Sequence, residues 1–289
     1  IRYAEELNSD YSLQLNDMET YYPTTPFQTD EFICCGKAFT WSPIFAYHGF
    51  RYIEISGIKN PSLNDVSGVF VHQDVKPRTG FECSDIRINM LFKAGQMSTL
   101  SNMFYMPTDC PTREKLGWAN DAQASVQQML LNFETEHVFE KWLTDIDDAM
   151  REDGALPGII PTAGWGYHWG NGPVSDGVLF EIPYRLYLHT GNKNPLTDSI
   201  LYFERYLDYL DAQSDKDGSI AFGLDDWAAP DSDDKVNSVF INALLKIKFI
   251  RILLLARELN GMNTDAIKQK EKDAMGKIKI SAKRHMQYK

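Results

Sequence analysis

Between positions 109 and 121 the sequence reads DCPTREKLGWAND, which sets Asp109, Arg113, Glu114 and Asp121 around the indole of Trp118. Carboxyl groups this close in sequence can divide acid–base work, one giving a proton while another takes or holds one. A purely structural role fits the same residues. Asp121 can cap the free N–H groups of a following helix, and Arg113 can neutralise Asp109 in an ordinary ion pair. Pro111 should end any helix before the motif and the apolar stripe begins at Ala122, so the acids are expected on a connection that leads into a helix.

Two other connections have the same texture. GWGYHWGNG supplies Trp165, Tyr167, His168 and Trp169, and GLDDWAAPD supplies Asp225, Asp226 and Trp227. Indoles beside carboxylates on several loops suit a sugar, whose apolar ring face packs on an aromatic face while its hydroxyls donate to carboxylates. Cleaving a glycosidic bond then needs one carboxylic acid to protonate the leaving oxygen and a second carboxylate to activate water or attack. His168 is open between substrate contact and core packing. His48, in YHGFRY, reads as a packing or hydrogen-bonding residue of a β region. SDKDGS, with Asp215 and Asp217, reads as a polar turn, because it lacks the further acid and closing Glu of a calcium loop.

The elements that must position these loops change character near residue 80. Upstream, FRYIEIS and SGVFVHQDV lie between turn signals such as NPSLND and predict antiparallel strands. Downstream, Ala122, Val126, Met129, Leu130 and Phe133 recur at helical spacing, as do Val138, Trp142, Leu143, Ile146, Ala149 and Met150. Further helices are expected over GVLFEIPYRLYLH, TDSILYFERYLDYLDA, NSVFINALLKIKFIRILLLARELN and DAIKQKEKDAMGKIKISAKRHMQ. Tandem helices with long functional loops describe an α/α toroid or a plain bundle. The expected organisation is a β region over 1–79 and a helical domain over 80–289.

The chain has 289 residues, 43% of them apolar and 12% aromatic, enough for a substantial core. A formal charge of -11 disfavours nucleic acid and anionic membrane surfaces as partners. No apolar run approaches the roughly 18 residues of a membrane span. Cys34, Cys35, Cys83 and Cys110 lack CxxC spacing and read as reduced thiols; with an N-terminus unlike a signal peptide, they favour a cytoplasmic setting. No spacing of His and Cys suggests a metal, and no glycine-rich loop suggests a phosphate cofactor.

The motif resembles the signature of the bacterial α-L-rhamnosidases of glycoside hydrolase family 78, close to D-C-P-x-R-E-x-L-G-W-x-x-D. FAYHGFRYIEISG resembles the family's strand segment ahead of its catalytic domain, TGFECSD its lead into the first barrel helix, and DDWAAP its G-D-W-L-A-P loop. The resemblance implies an (α/α)6 barrel, a six-hairpin toroid, preceded by the end of a jelly-roll-like β-sandwich. It also implies an inverting hydrolase that removes terminal α-L-rhamnose from rhamnose-containing glycosides without a cofactor. Carried over by residue, Glu114 is the general acid, and Asp109, Arg113 and Asp121 bind rhamnose hydroxyls. Trp118, Trp165, Trp169 and Trp227 are aromatic walls, and Asp176 joins the polar lining.

The pattern is departed from at Asp225, where the family usually has Gly, and at Asn120 before Asp121. About seven helical segments are foreseen rather than twelve, so the barrel is expected to be incomplete, with its base-bearing Glu segment outside the chain. Such an open toroid is expected to expose Ile247, Ile250 and Leu254 and to favour self-association. The residues alone also fit a glucoamylase-like or trehalase-like barrel, or a non-catalytic carbohydrate-binding protein. Residues 1–289 are therefore expected to hydrolyse α-L-rhamnosides at a negligible rate, as measured by release of p-nitrophenol. Vigorous turnover abolished by Asp226→Asn would instead make Asp226 the base.

Overall fold

The computed structural model describes residues 1–16, 27–223 and 235–286. They form two compact units, Ile1–Gln73 with Lys93–Lys115, and Asp74–Phe92 with Leu116–Lys289. The chain is mainly helical with a small antiparallel β part, as the change of sequence period indicates.

In the first unit β1 (Arg2–Ala4) pairs with β4 (Tyr52–Glu54), Tyr3 opposite Ile53, while β2 (Glu6–Leu7) pairs with β3 (Leu13–Gln14). The β2–β3 turn closes through Asp10, whose carboxylate accepts from the Ser12 amide and hydroxyl, with Tyr11 in the left-handed region at φ 67°. Tyr3 anchors this unit. Its ring stacks on His48 with centroids 4.1 Å apart, and its hydroxyl donates to Asp30 at 2.7 Å. His48 also lies 2.7 Å from the Gln28 side-chain oxygen and 3.1 Å from Asp30, the packing and hydrogen-bonding role its sequence context suggests. Desolvation lowers its pKa, opposed by the Asp30 carboxylate.

The expected strand over SGVFVHQDV does not form. Alternating residues become a strand only where a neighbouring edge pairs with them. Among the described residues this segment has no such edge; Val69, Phe70 and Val71 are exposed, and the Gln73 amide donates singly to the Met103 carbonyl.

Nine helices follow the β part among the described residues: α1 (Ile86–Ser101), α2 (Ala119–Asn132), α3 (Glu136–Ala149), α4 (Pro173–Asp176), α5 (Val178–Thr190), α6 (Asn194–Asp198), α7 (Ile200–Gln213), α8 (Lys235–Leu259) and α9 (Asp265–Met286). The stripe read from the sequence is the buried face of α2, namely Ala122, Val126, Met129 and Leu130. On α3 Trp142, Leu143 and Ile146 of the expected stripe are buried, with Phe139 beside them, while Val138 of the expected stripe is only half-buried. Trp142 is fully enclosed and its indole N–H donates to the Ile160 carbonyl at 3.0 Å, which ties α3 to the segment before the next loop.

Aromatic packing joins α5, α7 and α8. The Phe180 ring stacks on Phe249 at 4.3 Å and on Phe203 at 4.5 Å, with Tyr206 edge-on at 5.8 Å. Ile247, Ile250 and Leu254 are therefore not an open face. They are buried, Ile247 in a cluster with Ile278 of α9. Phe240, Ile241 and Leu244 are the exposed apolar residues of α8 instead. No helix is long and apolar enough to cross a membrane among the described residues. Phe180→Ala removes the ring shared by three helices, and about 3–5 kcal/mol of stability should be lost in chemical denaturation.

Candidate active site

The acid-bearing turn belongs to the first unit, and close backbone packing holds it. The Gly49 amide donates to the Pro111 carbonyl at 3.0 Å. A Cβ on Gly49 would lie 2.6 Å from the Thr112 methyl and 3.1 Å from the Pro111 carbonyl carbon, so only glycine fits without movement. This contact explains why FAYHGF and DCPTRE occur in one chain: the first is the platform of the second.

Two side chains hold the turn around Glu114. The Glu114 amide donates to Cys110 Sγ at 3.2 Å. Burial and a hydrogen bond to Asp109 push the Cys110 thiol above its ordinary pKa, which keeps it protonated and unreactive. Lys115, next in sequence, takes the left-handed region at φ 56°. Its ammonium turns inward, donating to the Tyr47 carbonyl at 2.7 Å and lying 4.9 Å from the Tyr47 ring centroid and 5.4 Å from that of Phe27. Burial lowers its pKa. Asp109, Arg113 and Glu114 are all partly buried on this turn. The structure thus brings together the proposed acid and two proposed hydroxyl ligands. Cys110 and Lys115 went unrecognised as supports, although their places on either side of the Arg–Glu pair were the available signal.

The second unit holds Trp118, Trp165 and Trp169. Trp118 precedes α2 at its N-cap without a side-chain cap bond of its own, and Asp121 is exposed in the first turn. There a carboxylate still favours the helix dipole. The Ala119 amide donates to the Gly158 carbonyl and the Ile160 amide to the Gly117 carbonyl, at 2.9 and 2.8 Å, which fixes the backbone beneath the Trp118 ring. That ring lies over Gly170, where a Cβ would be 2.2 Å from its Cζ3. Gly158 also meets the Gly170 backbone, with a Cβ position 2.4 Å from the Gly170 carbonyl carbon. Trp118 and Trp165 have centroids 6.4 Å apart, as do Trp165 and Trp169, the last pair only 24° from parallel. Trp165 and Trp169 keep 50% and 46% of their surface exposed, so their faces are available to a ligand.

Asp176 is placed differently from its expected lining role. It is wholly enclosed at the end of α4. One carboxyl oxygen accepts from the Tyr206 hydroxyl at 2.8 Å and the Gly172 amide at 3.0 Å. Tyr206 was not foreseen, since its spacing on α7 reads only as core. His168 is exposed on the tryptophan loop. Asp225, Asp226 and Trp227 lie outside the described residues. The Asp215–Asp217 segment is a polar turn closed by the Ser219 hydroxyl, which donates to Asp217 at 2.6 Å.

Helical hairpins that carry loops of indoles and carboxylates define the class of six-hairpin glycosidase domains. Residues 77–277 match the family described as bacterial alpha-L-rhamnosidase 6 hairpin glycosidase domain, and residues 1–72 match the bacterial alpha-L-rhamnosidase concanavalin-like domain. The chain belongs to the bacterial α-L-rhamnosidase family. It is 29% identical over 238 residues to an alpha-L-rhamnosidase of Formosa agariphila, covering 80% of this chain and 25% of that protein. With an alpha-L-rhamnosidase of Streptomyces avermitilis it shares 30% identity over 231 residues, 78% of this chain and 22% of the relative. The chain thus spans about a quarter of the length of these curated relatives.

Among solved structures, the alpha-L-rhamnosidase from Dictyoglumus thermophilum aligns with a TM-score of 0.84 and 30% identity, over 96% of this chain and 31% of that one. The Streptomyces avermitilis alpha-L-rhamnosidase complexed with L-rhamnose aligns with a TM-score of 0.87 and 25% identity, over 96% and 26% of the two chains.

The Gly49 contact yields a direct test. Gly49→Ala should cost about 1–3 kcal/mol through overpacking against Thr112, measured by urea denaturation. Removing the opposing methyl in Gly49→Ala/Thr112→Ser should recover part of that loss.

Proposed function

We propose that this protein acts in the hydrolysis of terminal α-L-rhamnosides, with Glu114 as the general acid. The observation that carries the reading is the DCPTREK turn in a chain of this family: Glu114 is anchored by its own amide to Cys110 and followed by a half-buried, left-handed Lys115, so its backbone is fixed before substrate arrives. A proton donor held in place meets the leaving oxygen without first losing conformational freedom.

Asp109, Arg113 and Asp121 are assigned to the sugar hydroxyls, the carboxylates accepting and the guanidinium donating. Trp118, Trp165, Trp169 and Trp227 are assigned to the apolar faces of the sugar and its neighbour. Asp176 is left out of the substrate contacts, because its carboxylate is enclosed. Inversion would further require a base about 6.5–9.5 Å from Glu114, with a water between the two, and none of the residues assigned here takes that role. The substrate class is a rhamnose-containing glycoside, in line with relatives named alpha-L-rhamnosidase and a neighbour solved with L-rhamnose.

Calorimetry tests the binding half. L-rhamnose should bind residues 1–289 and D-glucose should not, and Asp109→Asn should abolish the heat without a change in melting temperature; equal binding of both sugars would favour another barrel glycosidase. Glu114→Gln tests the acid. In a version extended to the full length of its relatives it should leave rhamnose binding within a few-fold while lowering the rate on alkyl rhamnosides by about 10²–10⁴, with a much smaller loss on the p-nitrophenyl rhamnoside, whose leaving group needs little protonation. Equal losses on both substrates would remove Glu114 from the acid role.

A further inference from the structure

The carboxyl group of Asp176 is the most deeply enclosed acid at the tryptophan-bearing end of the second unit, and the sugar chemistry above does not use it. Asp176 is 0% exposed, its oxygen Oδ2 takes both hydrogen bonds, and Oδ1 meets no partner. An amide side chain could accept the same two bonds without the cost of a buried ionisable group. The group that Asp176 holds is informative: Gly172, at φ 110°, is the residue where the tryptophan loop ends and α4 begins.

Gly172 lies against Gly223, where a Cβ on Gly172 would come within 2.4 Å of the Gly223 Cα. The approach of residues 220–222 to that point is itself held by Asn242 of α8, which donates to the Ile220 and Phe222 carbonyls at 3.1 and 3.3 Å. Two residues upstream of Gly172, Gly170 lies against both the Trp118 ring and Gly158. The Asp176 bond therefore fixes one end of a loop whose remaining contacts determine where the indoles of Trp165 and Trp169 point.

We propose that Asp176 is a positioning residue, which sets the tryptophan loop by accepting the Gly172 amide and so holds the Trp118–Trp165–Trp169 array in register. The inference rests on the proposed sugar-binding role only for what the array is used for; the positioning is a property of the loop.

The environment of the carboxyl sets the readout. Burial pushes its pKa up to about 8, with the Tyr206 and Gly172 hydrogen bonds opposing that rise. The titratable groups facing it are Tyr206 and Tyr209 of α7, both raised by burial and by Asp176 itself and so neutral over the working range. From α2 and α8, the other helices packed on α4, no charged group among the described residues contributes to its shift. Between the ordinary carboxylate value of 3.8 and about 8, the folded chain holds a proton that the unfolded chain gives up. Stability therefore falls as the pH rises through that window, although the carboxylate in place is the stronger acceptor for the Gly172 amide, because the charge gains more from water than from its enclosed site.

The test follows the near-ultraviolet circular dichroism of the tryptophans in residues 1–289, without sugar, with far-ultraviolet helix content as the control. The wild-type band should fade as the pH rises toward and past about 8, at constant helix content, as the loop opens to hydrate the carboxylate. Asp176→Asn, which keeps the acceptor and cannot ionise, should retain the band and make it independent of pH. Asp176→Ala should show a reduced band at every pH. A full band in Asp176→Ala, or an undiminished pH transition in Asp176→Asn, overturns the proposal. If Asp176→Ala does not fold, wild type against Asp176→Asn decides alone. Absence of rhamnose binding in a wild type that shows the transition would sink the functional reading while supporting this one.

Discussion

Backbone meeting backbone, with no side chain between, is the constraint on which both functional regions depend. In the first unit Gly49 lets the YHGF segment lie directly on Pro111 and Thr112. In the second, Gly158 and Gly170 let one loop pass beneath the Trp118 ring, and Gly172 meets Gly223 in the same manner. Such contacts are stiff. A side chain can change rotamer to accept a neighbour, whereas two main chains at van der Waals distance move only if whole segments move. The chemistry-bearing residues can therefore sit on connections and still be held in place, which loops without such contacts rarely achieve.

Ionic contacts support this arrangement from farther away. Glu181 of α5, almost fully buried, pairs with Arg185 one turn on and with Lys248 of α8, so its charge is countered from two helices. Asp211 of α7 is paired with Lys246 of α8 at 2.5 Å and Lys270 of α9 at 2.7 Å. Opposed charges of this kind add little net stability when half exposed, but they penalise sliding of one helix along another. With the Phe180 stack they give the helices a defined register, and the loop ends inherit it.

Much of this was legible in the sequence. The helical period from Ala122 onward gave α2, α3, α5, α7, α8 and α9, because burial of one face is what a period near 3.6 records. The motif from Asp109 to Asp121 gave the acid-bearing turn and its resemblance to a known family. What escaped were features that depend on a partner distant in sequence. SGVFVHQDV has the alternation of a strand, but alternation does not say whether a neighbouring edge exists. Ile247, Ile250 and Leu254 read as an unpartnered face, yet all three are buried, Ile247 with Ile278 of the next helix. Asp176 resembled the other loop acids in type, and only Tyr206, thirty residues on, shows that it faces inward. The glycine density of GWGYHWGNG was visible, but which backbone each glycine admits was not.

The glycine contacts also divide the tryptophan loop into two kinds of position. Trp165 and Trp169 are half exposed and attached to a path determined elsewhere, so replacing either ring would change the surface offered to a ligand without redirecting the chain. Gly158, Gly170 and Gly172 allow no such freedom, because any added carbon enters a neighbouring backbone or indole. Inherited variation in ligand preference is thereby channelled to the rings, while the route of the loop is closed to single substitutions. A fold built this way can diversify what it recognises by exchanging one aromatic residue at a time and keep the architecture that presents it.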